Sequence, residues 1–368
     1  MSIRNSNLRP NFWTMFFYIL ISVFSISLLS SCSDNGEDTP DILAGEYAQG
    51  YLVVNEGVFG MNNSSVGHIS TTGVVTQQIF QTVTGDSLGD QLQSISILGD
   101  KAYLMVSASN KIEVVNRGTF ERKETIFDTT NFKFANPRYM ADVGNNKAYV
   151  STWGNFGDTS PKILVIDTQT EQITSTIEAS SGAENIIFDN NTNKAFVANG
   201  FGTTISVYNT SNNTLENTID VSPNTPEEMV VDKDGKLWVV ASPFGSSTGA
   251  LYKINMSTNA IETTIALNAG SENIGEHLAI NATRDILYYS FSSGVYELDI
   301  TATTQTTNPI IQNGAYGVSI NPKNNDIWIG IANFQAPTGN DVIQYDNQGN
   351  LINTFSAGAG SNEVIFLP

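Results

Sequence analysis

The sequence predicts an all-β fold, a seven-bladed β-propeller, on the basis of three observations. A short segment centred on an aromatic residue recurs seven times. The segments between the copies consist of brief β-branched stretches and polar turns, and the two ends of the repeat region complement each other. Self-similarity with a period of some tens of residues is typical of repeat architectures. Four short strands in each repeat are typical of a propeller blade.

The recurring segment places one aromatic residue at the same position in each copy. Lys101-Ala-Tyr-Leu-Met and Lys194-Ala-Phe-Val-Ala are two examples. The seven aromatic positions are Tyr51, Tyr103, Tyr149, Phe196, Trp238, Tyr288 and Trp328. Large aromatic side chains fill the space between packed sheets, so we expect these residues to pack between neighbouring blades.

Other strands surround each aromatic segment. A short apolar stretch precedes it, as in Glu184-Asn-Ile-Ile-Phe-Asp, and two further strands follow, as in Ile163-Leu-Val-Ile-Asp and Gln172-Ile-Thr-Ser-Thr-Ile. Asn, Asp and Gly fill the turns because they tolerate tight backbone angles. No helical period is found after residue 50. We therefore expect four strands in each blade and no helix.

The two ends of the repeat region predict how the ring closes. The chain enters at Tyr51, in the second strand of a blade, and ends with Asn362-Glu-Val-Ile-Phe-Leu, which has the pattern of a first strand. Pairing of this last strand with the first three would complete blade 1. It would also remove the free sheet edges at which aggregation begins. The repeats are therefore expected to form one domain, residues 49–368.

The first 31 residues predict an export signal. Arg4 and Arg9 precede an apolar, uncharged run from Phe12 to Leu29, which is the order of segments in a secretion signal. The run is also long enough to be a membrane-spanning helix. Its ending, Leu29-Ser-Ser-Cys32, favours the signal because it resembles a bacterial lipobox, whose cysteine carries lipid. Cys32 is the chain's one cysteine, so we expect a lipid anchor and no intrachain disulfide.

Residues 32–48 are expected to form a flexible acidic tether. Its first part, Ser33-Asp-Asn-Gly-Glu-Asp38, resembles the acidic export tag of Bacteroidota lipoproteins, although a plain tether is the alternative interpretation. The tag implies an outer-membrane lipoprotein exposed on the cell surface, in contact with the membrane through its lipid alone.

Charge excludes one class of partner. The 17 basic residues include Arg4 and Arg9, so 15 remain against 36 acidic residues once residues 1–31 are removed, a net charge of −21. Such a body repels phosphate backbones and anionic headgroups. We therefore expect no nucleic-acid partner.

Two stretches resemble known propellers. Lys194-Ala-Phe-Val-Ala-Asn-Gly-Phe-Gly and Lys147-Ala-Tyr-Val-Ser-Thr resemble the YVTN/YncE-type repeat. Residues 51–65, Tyr-Leu-Val-Val-Asn-Glu-Gly-Val-Phe-Gly-Met-Asn-Asn-Ser-Ser, are similar to the first-blade signature of Bacteroidota surface lipoproteins that include the BtuG-type proteins. That resemblance implies capture of cobalamin or a related corrinoid for a TonB-dependent outer-membrane transporter. A glycan- or protein-binding accessory role remains the alternative.

Function in a propeller concentrates on the loops at one face. Nearly every loop between a second and a third strand offers an aromatic residue among Asn, Gly, Ser and Thr: Phe59, Trp153, Phe156, Phe201, Phe244, Phe291 and Phe334. Asn62 and Phe132 complete the predicted ligand-binding set. Any one aromatic could be a packing residue, but their recurrence on one face indicates an interaction surface. Such a surface suits a corrinoid or a sugar chain better than an anion.

A second candidate site lies where the innermost strands begin. The residues predicted at this channel mouth are Arg138, Glu184, Glu228, Glu276 and Glu363, with Gln93, Glu227 and His277 beside them. Converging carboxylates could bind a cation or perform acid–base chemistry. The alternative is a solvated channel, in which Arg138 offsets part of the charge.

Catalytic motifs are missing from the sequence. His68 and His277 are the two histidines, and there is no Cys-x-x-Cys metal spacing, nucleophile elbow, phosphate loop or dinucleotide fingerprint. We therefore expect a binding protein without cofactor or metal. Some related propellers are lactonases, which implies a hydrolase using Glu184, Glu228 and Glu363 as the remaining alternative.

Overall fold

The computed structural model describes residues 43–127, 136–154, 161–334 and 340–368. These residues fall within one compact unit, Leu43–Pro368, and form seven antiparallel sheets. The predicted seven-bladed propeller is confirmed. The predicted export signal and Cys32 lie outside the described residues. Within the described ranges, no helix is long and apolar enough to span a bilayer.

The first three blades hold twelve strands. Blade 1 comprises β1 (Tyr51–Asn55), β2 (Ser65–Ile69), β3 (Val75–Thr76) and β27 (Ser361–Phe366). Blade 2 comprises β4 (Leu92–Leu98), β5 (Lys101–Val106), β6 (Lys111–Asn116) and β7 (Arg122–Ile126). Blade 3 comprises β8 (Pro137–Asp142), β9 (Lys147–Thr152), β10 (Lys162–Asp167) and β11 (Gln172–Glu178).

The other four blades follow in chain order. Blade 4 comprises β12 (Ala183–Asp189), β13 (Lys194–Asn199), β14 (Thr204–Asn209) and β15 (Thr214–Asp220). Blade 5 comprises β16 (Pro226–Val231), β17 (Lys236–Ala241), β18 (Thr248–Asn255) and β19 (Ala260–Asn268). Blade 6 comprises β20 (Ile274–Ile280), β21 (Ile286–Phe291) and β22 (Gly294–Asp299). Blade 7 comprises β23 (Gly317–Ile320), β24 (Ile327–Ile331), β25 (Asp341–Tyr345) and β26 (Leu351–Ser356).

The first strand of each blade lies nearest the axis. Strands β4, β8, β12, β16, β20, β23 and β27 lie at one edge of their sheets, and most of them contact the corresponding strand of the next blade. The repeated aromatics pack where blades meet, and Tyr103, Tyr149, Phe196 and Trp238 are fully buried. Tyr51 is half-buried, since it lies at the blade 1–blade 7 junction with its ring 4.7 Å from that of Trp328.

The last strand closes the ring as predicted. β27 pairs antiparallel with β1, with Phe366 opposite Tyr51 and Glu363 opposite Val54. On its other side the Val364 amide donates a hydrogen bond to Ser319 Oγ of blade 7, at 3.0 Å. The C-terminal strand is therefore held by both neighbouring blades.

Two sequence expectations about strands and helices were wrong. Blade 6 has three strands, because the following segment contributes a single bridge, Val295 to Ile311, beside Pro309, which has no amide hydrogen to donate. A six-residue helix, α1 (Ile79–Thr84), joins blades 1 and 2 and buries Ile79 and Phe80. Six residues are too few to show a helical period, so the pattern did not predict α1.

Removal of residues 361–368 is expected to unfold the propeller rather than shorten it. The deletion exposes the edge of β1 and the facing side of blade 7, so closure is lost. Circular dichroism should show loss of the cooperative thermal transition, whereas deletion of Pro368 alone, which is exposed, should leave that transition in place. A truncated protein that melts like the wild type would contradict the account of closure.

Candidate functional site

The predicted aromatic loops and channel mouth lie at the same end of the propeller. Antiparallel pairing places Asn199, at the end of a second strand, opposite Ala183, at the start of an innermost strand. Blade 5 repeats this with Ala241 opposite Pro226. We call this end the loop face. It carries the described segments that follow the second strands, residues 56–64, 200–203, 242–247 and 332–334.

A cavity of about 440 Å³ opens among the innermost strands at the loop face; we call it the funnel. Four predicted channel-mouth residues line it: Arg138, Glu184, Glu228 and Glu276. Glu56, Glu227, His277 and Tyr316 line it as well. The fifth predicted residue, Glu363, instead lines a second cavity of about 360 Å³, which we call the lower cavity.

β-Bulges explain why consecutive polar residues reach the funnel. In a regular strand, successive side chains point to opposite faces. The strand registers shift between Pro137 and Met140, Ala183 and Ile186, and Pro226 and Met229. The skipped pairs are Arg138–Tyr139, Glu184–Asn185 and Glu227–Glu228, all of which line the funnel. A bulge leaves such residues out of the ladder and redirects their side chains, as is common near functional sites.

Arg138 and Glu184 form a buried ion pair on the funnel wall. Arg138 Nη2 lies 2.8 Å from Glu184 Oε1, and Arg138 Nε donates to both carboxylate oxygens at 3.0 Å. The guanidinium carbon lies 3.7 Å from the Trp153 ring centroid, a cation–π contact. Burial raises the pKa of Glu184, although Arg138 acts in the opposite direction. The pair fixes one face of Trp153.

His277 and Glu228 form a second pair. His277 Nδ1 lies 3.1 Å from Glu228 Oε2, and the Leu278 amide donates to the same oxygen at 2.9 Å. Burial favours neutral imidazole, but the hydrogen bond and charge of Glu228, together with other funnel carboxylates, outweigh it and raise the pKa of His277 to about 9. His277 therefore carries a proton at neutral pH and cannot act there as a general base.

Glu56 and Tyr316 are funnel residues that sequence reasoning missed. Tyr316 donates its hydroxyl hydrogen to Glu56 Oε2 at 2.8 Å, and Asn362 Nδ2 donates to Glu56 Oε1 at 2.8 Å. Burial raises the pKa of Glu56 against these stabilising donors. Its position directly after β1, within residues 51–65, was the available signal, since the residues that follow a second strand lie at the loop face.

Glu227 differs from the paired carboxylates. No hydrogen bond or ion pair reaches its side chain from the described residues. Burial, with the charges of Glu276 and Glu184, raises the pKa of Glu227 to about 9, while Arg138 lowers it. The residue is therefore a neutral acid at pH 7. Nowhere in the described ranges are three or more His, Cys, Asp or Glu side chains placed to hold a metal ion.

Exposed aromatic residues lie on the loop face, where some of them border the funnel. The exposed fractions are 67% for Phe59, 59% for Phe201, 94% for Phe244 and 42% for Phe334. We call these four residues, with half-buried Trp153, the aromatic rim. The predicted residue Asn62 lies in the same loop as Phe59 and is exposed.

The rim is in contact with the funnel walls. Phe244 and Trp153 line the funnel, the Trp153 and Phe201 rings lie 4.8 Å apart, and Phe334 packs edge-on against Tyr316. Gly182, at φ 70°, lies so close to Phe201 that a Cβ on Gly182 would fall 2.5 Å from the Phe201 amide nitrogen. The position therefore requires glycine.

Three predicted aromatic positions do not join the rim. Phe291 was wrongly predicted as a loop residue, because it ends β21 and is 4% exposed. Its ring packs 4.5 Å from that of Tyr296, which fills the space inside blade 6. Phe132 and Phe156 lie outside the described residues.

The charge on His277 predicts a pH-dependent contribution to stability. The pKa of His277 is raised to about 9, above the ordinary 6.5. Protonated His277 therefore stabilises the fold fully below about pH 6.5, and this contribution is lost as the pH rises through about 9. We expect His277→Gln to lower the free energy of unfolding by about 2 kcal/mol at pH 6 and by much less at pH 9.5. Urea unfolding at both pH values measures this, and an equal loss at both would contradict the assignment.

Comparisons with known proteins agree with the fold. No curated protein matches this chain in sequence. The solved Pseudomonas aeruginosa periplasmic gluconolactonase PpgL is similar with a TM-score of 0.64 and 10% identity, over 86% of this chain and 99% of that one. Kuenenia stuttgartiensis hydrazine synthase is similar with a TM-score of 0.57 and 14% identity, over 76% of this chain and 91% of that one.

Identities this low show a shared propeller fold and nothing about activity. A family model described as "Domain of unknown function (DUF5074)" matches residues 49–362, which is nearly the whole propeller. The chain therefore belongs to the DUF5074 family.

Proposed function

We propose that this protein captures a bulky ligand at the aromatic rim and funnel of the loop face. The observation that carries the proposal is the exposure of four phenylalanines on the loop face, of which Phe244, 94% exposed, lines the funnel itself. Exposed aromatic groups bordered by polar residues mark binding surfaces. A concave site with convergent polar groups is also the usual form of a ligand site.

The ligand that best fits this surface is cobalamin or a related corrinoid. A corrinoid offers a broad apolar body to the rim and a fringe of amide groups that can donate hydrogen bonds to Glu56, Glu184 and Glu276. The funnel, at about 440 Å³, would take only part of it, so the ligand would lie across the rim. The similarity of residues 51–65 to the BtuG-type signature supports the same ligand.

Location and partner follow as parts of the same proposal. A lipid on Cys32 and an acidic tag would hold the propeller at the cell surface. A captured corrinoid would then pass to a TonB-dependent outer-membrane transporter. The support is the lipobox-like ending at Cys32 and the acidic stretch after it.

Calorimetric titration of the full chain with cyanocobalamin tests the ligand and the site together. We expect binding, with Trp153→Ala and Phe59→Ala each weakening it by roughly 30-fold, equivalent to about 2 kcal/mol for an aromatic anchor. Leu351→Ala is the matched control, because Leu351 is 63% exposed on outer strand β26. Unchanged affinity in both aromatic variants would contradict the site assignment.

A glycan is the second candidate ligand for the same surface. Phe244 stands exposed near half-buried Ser246 and Ser247, and aromatic faces with neighbouring hydroxyl groups suit sugar rings. A titration that gives no heat with cyanocobalamin, followed by binding on a glycan array that Phe244→Ala abolishes, would favour this ligand. A protein partner on the same face would show neither result.

We also propose that the protein is not a hydrolase. Glu184 and Glu228 are each committed to a cationic partner, and His277 carries a proton at neutral pH. Both funnel carboxylates of the hydrolase alternative are therefore held by cations, and the imidazole beside them cannot accept a proton at neutral pH. A panel of lactones that includes gluconolactone should give no turnover. Turnover in the wild type that Glu184→Gln or Glu228→Gln abolishes would contradict this.

A further inference from the structure

The lower cavity lies deeper along the axis than the funnel. It shares Gln93, Tyr139, Glu228 and His277 with the funnel, and these four residues form the partition between the two cavities. Its other walls come from later positions in the innermost strands, such as Ala279, Ile320 and Phe366. The proposed corrinoid would lie across the rim and funnel and would not enter this space.

Polar groups without partners line this cavity. No hydrogen bond or ion pair reaches the Glu363 carboxyl group from the described residues. Asn362 is 3% exposed. Its Nδ2 donates to Glu56 Oε1 and to the Gln93 carbonyl oxygen, but its Oδ1 is buried without a donor. A buried acceptor without a donor costs about 1–3 kcal/mol, so such groups usually have a role.

The balance of donors and charges in the lining favours a cation. His277 is the cationic side chain among the lining residues, and its Nδ1 is committed to Glu228. Gln93 donates to the Tyr139 hydroxyl oxygen at 3.1 Å, and Ser319 Oγ accepts from Val364. The Glu363 carboxyl group and Asn362 Oδ1 are left as acceptors to which no described residue donates. A ligand that pairs with both must bring donors, and an ammonium ion brings three N–H groups together with a charge opposite to that of the carboxylate.

The remaining lining is apolar. It comprises Leu278, Ala279, Val318, Ile320, Pro322, Val364, Ile365 and Phe366. Apolar walls next to unpaired acceptors match a molecule with one charged end and one aliphatic end. Burial of aliphatic groups contributes roughly 0.8 kcal/mol for each CH₂, so the chain would add to the attraction of the charge.

We propose that the lower cavity is a second binding site, which takes a primary ammonium ion carrying a short aliphatic chain. The ammonium group donates to the Glu363 carboxylate and to Asn362 Oδ1, and the chain packs against Val318 and Ile320. This site is distinct from the corrinoid surface and does not depend on it.

The charge state of Glu363 gives the proposed site a pH dependence. Burial and the charge of Glu228 raise the pKa of Glu363 to about 7, while His277 lowers it. Tyr139, the other titratable group in the lining, keeps its proton because burial raises its pKa further. An ammonium ion binds the ionised carboxylate, so affinity rises with pH and levels off above about pH 8. Between pH 6 and pH 8 the expected gain is about tenfold.

The experiment titrates the full chain with butylammonium chloride by ligand-observed NMR at pH 8. We expect millimolar or tighter binding and no binding of 1-butanol, which has the same chain without the charge. Glu363→Gln keeps the shape of the side chain and should weaken binding at least tenfold. Glu297→Gln is the matched variant, because Glu297 is exposed on β22 and lines neither cavity, and it should change the affinity less than twofold.

Three results would overturn the proposal. These are no binding of butylammonium, equal binding of 1-butanol, and a loss in Glu297→Gln that matches the loss in Glu363→Gln. If Glu363→Gln does not fold, the wild-type affinity at pH 6 and pH 8 decides, and a pH-independent affinity overturns it. Cyanocobalamin titration of the wild type is a separate measurement, so failure of one site is distinguishable from failure of the other.

Discussion

Pairing of β27 with β1 is the interaction on which the rest of this structure depends. It joins residues more than three hundred positions apart, Tyr51 with Phe366, and it closes a ring whose innermost strands contact one another. That closure brings carboxylates from separate blades to one axis. The funnel is therefore a consequence of the ring rather than of any single blade.

Charge placed on that axis is stabilised unequally. Glu184 and Glu228 have cationic partners, and Glu56 has two neutral donors, whereas Glu227 and Glu363 have none from the described residues. Burial without a partner raises the pKa of these last two groups to about 9 and about 7. Acids in this state can give up a proton when a donor or a cation arrives, which suits a binding cavity better than a rigid ion-pair network.

Much of the fold could be predicted because propeller repeats are local patterns. The aromatic at each second strand and the unpaired ends at Tyr51 and Phe366 were sufficient for blade number and closure. Residues such as Glu227 were expected at the mouth because they open innermost strands. What could not be predicted depends on tertiary geometry: the bulges that turn adjacent residues inward, the Glu56–Tyr316 contact across blades, the three-stranded blade 6, and the separation of Glu363 into its own cavity.

Hydrogen exchange measured with and without cyanocobalamin tests most directly whether the loop face is the binding surface. When cyanocobalamin binds, we expect slower exchange in residues 56–64, 200–203 and 242–247, which carry Phe59, Phe201 and Phe244. We expect unchanged exchange in the turns at the opposite end of the propeller, such as residues 190–193 and 232–235. Protection of those opposite turns without protection of the loop face would contradict this expectation.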